Sequence, residues 1–109
     1  MAFIKKIFLK KRIILFISVA VLFLLLHSTP NTALRTKVFF MGYPKAALTS
    51  PIIDDVYHNE VDKDQFAEMN AKAYTLTKPP IEKATQGELR NYVVKRLGFI
   101  YFAEYYGEG

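Results

Sequence analysis

Six residues within eleven positions carry the side chains best suited to acid–base or metal chemistry: Asp54, Asp55, His58, Glu60, Asp62 and Asp64. Carboxylates at this density suit a hard cation such as Ca²⁺, which takes oxygen ligands. The spacing departs from an EF-hand loop, since counting from Asp54 or Asp62 finds no Gly sixth and no Glu twelfth. The other reading is a solvated loop whose acids cap and favour a following helix. His58 with Asp54 or Asp55 resembles part of a hydrolytic relay, which needs a nucleophile. Beyond the first apolar run the serines are Ser28 and Ser50. Ser50 lies between Thr49 and Pro51 without the glycines of a nucleophile elbow. Paired carboxylates also serve glycosidic chemistry, but a domain this small has little room for the cleft. No catalytic or metal-binding set is therefore assigned, and no cofactor is expected.

A second group is aromatic. Phe99, Tyr101, Phe102, Tyr105 and Tyr106 close the chain, with Arg90, Lys95 and Arg96 just before them. Their first reading is core and cross-strand packing. Their second is a surface for lipid or a partner protein, with Arg96, Phe99, Tyr101, Tyr105 and Tyr106 as the contact residues, because Tyr sits well at headgroup depth.

Stepping towards the N-terminus, Ile13 to Leu26 reads IILFISVAVLFLLL, in which Ser18 alone is polar. The run is expected to form a transmembrane signal-anchor helix over residues 13–29, its apolar flank including Ile13, Phe16, Val19, Leu22 and Leu26. At ~1.5 Å per residue the helix is roughly 25 Å long, slightly short for a hydrocarbon core of about 30 Å. Pro30 is expected to end it. Lys5, Lys6, Lys10, Lys11 and Arg12 precede the run and account for the whole net charge of +5. They suit anionic headgroups and, by the positive-inside rule, keep residues 1–12 in the cytoplasm and send residues 30–109 across. A cleaved signal peptide competes with this reading, but small-x-small spacing is missing after the run and Pro30 stands in the way. His27 reads as an interfacial polar flank.

With ten bases and ten acids after Arg12, the rest of the chain is neutral, which argues against nucleic-acid binding. The sequence has no cysteine, so disulfides and thiolate chemistry are excluded. It also lacks an Asn-x-Ser/Thr sequon, and both absences suit a bacterial cell envelope.

Residues 30–109 are expected to form a small α+β domain. Arg35–Met41 reads as a strand, Gly42–Lys45 as a turn and Ala46–Ile53 as a returning strand that Pro51 pushes to a sheet edge. Asp62–Lys72 fits one short helix, with Asp62 as cap and Gln65 as its reciprocal partner. Ala73–Thr77 reads as a strand stopped by Pro79-Pro80. Residues 88–106 carry two signals. Thr85 to Glu88 resembles a capping box, while Tyr92-Val93-Val94 and Phe99 to Phe102 favour strands separated by Gly98. Aromatic and β-branched density favours the strands.

The function these features suggest is a non-catalytic, single-pass accessory protein of the cell envelope, with membrane lipid and another envelope protein as partners. The alternatives are a small hydrolase using His58 and nearby carboxylates, or a peripheral lipid-contacting module.

Overall fold

The computed structural model describes residues 2–107. Helix α1 runs Ala2–Leu26, so the basic tail and the apolar run form one continuous rod. Its side chains from Lys5 to Leu25 are exposed on every side. The chain then turns sharply rather than stopping. Thr29 caps a second helix, α2 (Pro30–Phe40), and exchanges hydrogen bonds with Thr32 in a capping box. Pro30 occupies the first turn, where its missing N–H costs nothing. It thus opens a helix instead of closing one.

Arg35–Met41 is accordingly helical, not extended. Leu34 and Val38, four residues apart, are both buried, and Ala33 joins them on one face against the sheet. Gly42, at φ 101°, makes the following turn, which leads into α3 (Pro44–Thr49). The expected β-hairpin is therefore a helical one. Arg35 pins it, donating from Nε to Asn31 Oδ1 and from a terminal nitrogen to the Ala47 carbonyl, both at 2.8 Å. Of the returning strand only Ile52–Asp54 is extended, as β1, and it lies at the sheet edge.

Asp54 to Asp64 is not a loop. It contains α4 (Val56–Val61) and leads into α5 (Lys63–Met69), which Asn70 ends in the left-handed conformation. The part of the domain after α1 thus holds four short helices where one was expected. Asp62 stands at the start of α5 without the expected side-chain cap. Strand β2 (Ala71–Leu76) follows, then β3 (Asn91–Leu97) and β4 (Ile100–Tyr105). The last two form the antiparallel pair favoured by residue type, with Gly98 at φ 64° in the turn. The Thr85–Glu88 signal makes no helix, and Glu88 instead bridges to Ile81.

The result is an α+β fold around a four-stranded antiparallel sheet in the order β1-β2-β3-β4. Successive β3 residues face opposite layers. Tyr92 and Val94 pack with Leu34, Val38 and Ala47 of α2 and α3, while Val93 packs with Phe66 of α5 and Ala73 of β2. The sheet is buried on both faces by helix pairs, a way for a small cysteine-free domain to remove apolar area from water.

Candidate functional site

The carboxylate-rich segment resolves into separate partnerships. Asp55 caps α4, accepting from the His58 backbone N–H at 3.1 Å, and its second oxygen accepts from His58 Nδ1. Both residues are buried, at 7% and 5% exposure. Tyr106 stands edge-on to the His58 ring, with centroids 5.2 Å apart, and packs likewise on Phe66. Its hydroxyl donates to Asp62 Oδ2 at 2.7 Å. That bond, then burial, raises the Tyr106 pKa above its ordinary value. Asp54 instead pairs at the surface with Lys72 at 3.2 Å, and Glu60 and Asp64 are exposed. Among the described residues no three His, Asp or Glu side chains converge to hold a metal ion.

Ser50 does not join His58. It is fully buried at the opposite end of β1, its hydroxyl donating to the Pro51 carbonyl and accepting from the Lys78 N–H. Four residues separate it from Asp55, three of them the strand β1, so the two are five steps apart, roughly 16 Å at ~3.3 Å per residue. Asn59 is a residue that reasoning from sequence overlooked. Its amide bonds both backbone groups of Ala73, accepting from N–H at 2.7 Å and donating to the carbonyl at 3.0 Å. It extends the sheet ladder by one rung beyond the end of β1. The arrangement around His58 is a set of locks joining α4 and α5 to the sheet.

The terminal aromatic residues divide between layers rather than forming one patch. Tyr101 packs on the α2–α3 side and Tyr105 against Tyr92. Tyr106 belongs to the α4–α5 side. Phe99 is exposed at the hairpin tip beside Arg96, whose Nε donates to the Gly98 carbonyl at 2.9 Å. Burial raises the pKa of Tyr92, whose hydroxyl donates to the Leu89 carbonyl at 2.9 Å. Tyr74 is raised too, chiefly by burial.

A different constellation lies where α1 meets the domain. Ile13, Phe16, Val19 and Leu22 stand exposed along the rod, and Leu26 is half-buried at its end. Lys5, Lys6, Lys10, Lys11 and Arg12 lie exposed on the same helix, within about two turns before Ile13. At the other end Phe102 of β4 packs on the rings of Phe23 and His27, at 6.2 and 5.1 Å. The Tyr101 N–H donates to the His27 carbonyl at 2.8 Å, so α1 is hydrogen-bonded to the edge of the sheet. Exposed apolar side chains continue from α1 onto Phe39 and Phe40 of α2 and Leu48 of α3. The signal that would have found them is Thr29-Pro30 with Thr32, a helix start hidden among strand-forming residues.

Among the described residues no single helix is long and apolar enough to cross a membrane. Lys5–Leu26 and Pro30–Phe40, meeting at a bend of 111°, together have the length and composition of a broken span. The comparisons with known proteins add a family. No curated protein and no solved structure matches this chain. The YjcN family model matches residues 1–107, and the chain belongs to the YjcN family.

Proposed function

We propose that this protein is a non-catalytic interaction protein of the cell envelope, anchored by α1, with residues 30–109 on the outer side of the membrane. One observation carries the reading: α1 displays large apolar side chains from Ile13 to Leu25 on all sides, and each of them is exposed. Each such side chain gains up to about 1.5–3 kcal/mol on leaving water. Among the described residues the domain meets this run at its last turns, where Phe23 touches Phe102, so hydrocarbon is the environment that suits the rest. The apolar run is short, and Lys10, Lys11 and Arg12 lengthen it by snorkelling to the headgroups. The second limb of the bent pair is not a second crossing, because α2 spends Ala33, Leu34 and Val38 on the domain core. The joint between His27 and β4 favours retention of α1 over its cleavage.

The buried His58–Asp55 pair supports a binding role over a hydrolytic one. Little of the pair faces solvent, with Tyr57 and Tyr106 both edge-on to the imidazole. The outward face of α4 suits a partner, since Val56, Tyr57 and Val61 are exposed among Asp54, Glu60 and Asp64. An envelope protein with an apolar patch ringed by bases fits that face.

The lack of cysteine makes labelling direct. In intact cells a membrane-impermeant maleimide should label Lys83→Cys and not Lys6→Cys, and alkaline carbonate should leave both in the membrane. Release by carbonate would remove the anchor, and the reverse labelling would invert the orientation. A photo-crosslinker at Tyr57 should capture one envelope protein reproducibly; capture of nothing from intact membranes counts against the partner.

A further inference from the structure

We infer that the elbow between α1 and α2 is a second bilayer contact, in which acyl chains of anionic phospholipid fill the grooves beside Phe40 and the headgroups meet Lys37 and Lys45. This rests on reading α1 as a membrane anchor, and goes beyond it by seating part of the folded domain in the bilayer.

The bend passes perpendicular, so α2 slopes back along the flank of α1 rather than away from it. Two grooves result. One, of about 450 Å³, lies between Val19, Leu22 and Phe23 of α1 and Phe40 of α2, with Phe102 at its side. The other, of about 360 Å³, runs between Leu26, Phe39, Phe40 and Leu48. Both are walled almost entirely by carbon. One wall of the first is the anchor itself, so with α1 in the bilayer that groove opens onto hydrocarbon. Phe40 and Leu48 are 77% and 74% exposed, and the buried face of α2 is already taken by Ala33, Leu34 and Val38. The protein's own core therefore has no use for them. Exposed Leu97 and Phe99 belong to the same neighbourhood, because the Tyr101–His27 bond brings the β3–β4 tip to within a few residues of the elbow.

An elbow drawn to the hydrocarbon edge must satisfy its own polar groups. This one does. The Ser28 hydroxyl donates to the Leu25 carbonyl, the His27 ring bonds the Phe23 carbonyl, and Thr29 and Thr32 cap each other. Thr36 donates to the Thr32 carbonyl at 2.7 Å.

Charge selects the occupant. All ten acidic residues lie at position 54 or later, so α1, α2 and α3 contain none. Lys37 lines the first groove and Arg35 the second, Arg35 being held by Asn31 and Ala47, while Lys45 opens α3 beyond the far end of α2. Lys37 and Lys45 are exposed. Such a surface attracts anionic headgroups, whereas a second copy docking elbow to elbow would oppose like charges.

Single-cysteine variants of the full chain, labelled with an environment-sensitive fluorophore and reconstituted into vesicles, test this. Phe16→Cys reports the anchor, Phe40→Cys and Leu48→Cys the elbow, and Lys83→Cys the distal domain. Nitroxides on the acyl chains should quench the first three and spare the last, and iodide should do the reverse. Quenching at the elbow should rise when phosphatidylglycerol joins phosphatidylcholine, and Lys37→Gln/Lys45→Gln should abolish the rise. If nitroxide quenches Phe16→Cys but not the elbow labels, the second contact is wrong while the anchor stands. If it quenches none of them, the anchor falls too. Elbow labels shielded from both quenchers and crosslinking between copies would make the occupant a second chain. No dependence on phosphatidylglycerol would overturn the anionic assignment.

Discussion

Replacing Asn59 with alanine should destabilise the domain by about 1.5–3.5 kcal/mol, although the side chain is polar, only half-buried and on a helix of six residues. The size follows from its two bonds. Ala73 is fully buried, and its N–H donates to Asn59 Oδ1 at 2.7 Å. Without that acceptor the N–H is stranded, which costs about 1–3 kcal/mol. The bond from Asn59 Nδ2 to the Ala73 carbonyl is lost as well, worth about 0.5–1.5 kcal/mol. That carbonyl keeps the Asp55 N–H at 3.0 Å, so it is not orphaned and the second loss stays at the low end. Denaturant unfolding of the full chain in detergent, followed by tyrosine fluorescence, measures the difference. Asn59→Asp is the control for mechanism. It keeps the acceptor but sets a carboxylate against the Ala73 carbonyl, so its deficit relative to wild type should shrink in acid, where the protonated carboxyl regains a donor. A change within about 0.5 kcal/mol for Asn59→Ala would refute the reasoning, since a surface asparagine without a structural task gives that result.

Two further outcomes are expected. Tyr92, Tyr106 and Tyr74 all have pKa values raised in the fold, so their contribution is complete below the unfolded phenol pKa of about 10 and is lost as pH rises through the folded values. Phenolate absorbance should therefore lag that of the unfolded chain and then rise together with unfolding, a coupling that Tyr92→Phe should weaken. Phe102→Ala should loosen the joint with α1 by about 1–2 kcal/mol and speed proteolysis at residues 27–30, and an unchanged cleavage rate would show that the Phe23–His27–Phe102 stack does not hold α1 to the domain.

The C-terminal sheet was legible because local and tertiary preferences agree there. Tyr92, Val93 and Val94 are strand formers, both of their faces are buried, and Gly98 takes the positive φ that the turn requires. The stretch from Arg35 to Ile53 misled because they disagree. Val38, Phe39 and Phe40 favour strands locally, yet Leu34 and Val38 reach the core only at helical spacing, and the cap at Thr29 starts the helix upstream. Pro51 did carry true information, since β1 is an edge strand, but only three residues of it are extended. Around His58 the residue types were visible and their partners were not. Pairing Asp55 with His58 is local, through α4, whereas Asp62 meets Tyr106 across 44 residues and Asn59 meets Ala73 across 14, distances over which spacing carries no signal.

The placement of charge and the layering of the fold bear on each other. The acid-free first half builds α1, α2 and α3, and the acids begin at the end of β1, where the chain passes towards α4 and α5 on the other sheet face. A negatively charged surface would attract the α2–α3 layer, with Lys37 and Lys45, and repel the α4–α5 layer, with Glu60, Asp64 and Glu68. With α1 as the proposed anchor, orientation would be fixed twice, once by the hydrogen-bonded joint at His27 and once by the field across the sheet. The two controls differ in their response to salt. Exposed charges lose most of their mutual influence beyond a Debye length, about 8 Å at physiological ionic strength, while the apolar and hydrogen-bonded joint does not. Under the anchoring proposed for α1, the α4 face would be held away from the bilayer by a joint that salt leaves intact, the arrangement a tethered surface needs to meet a partner.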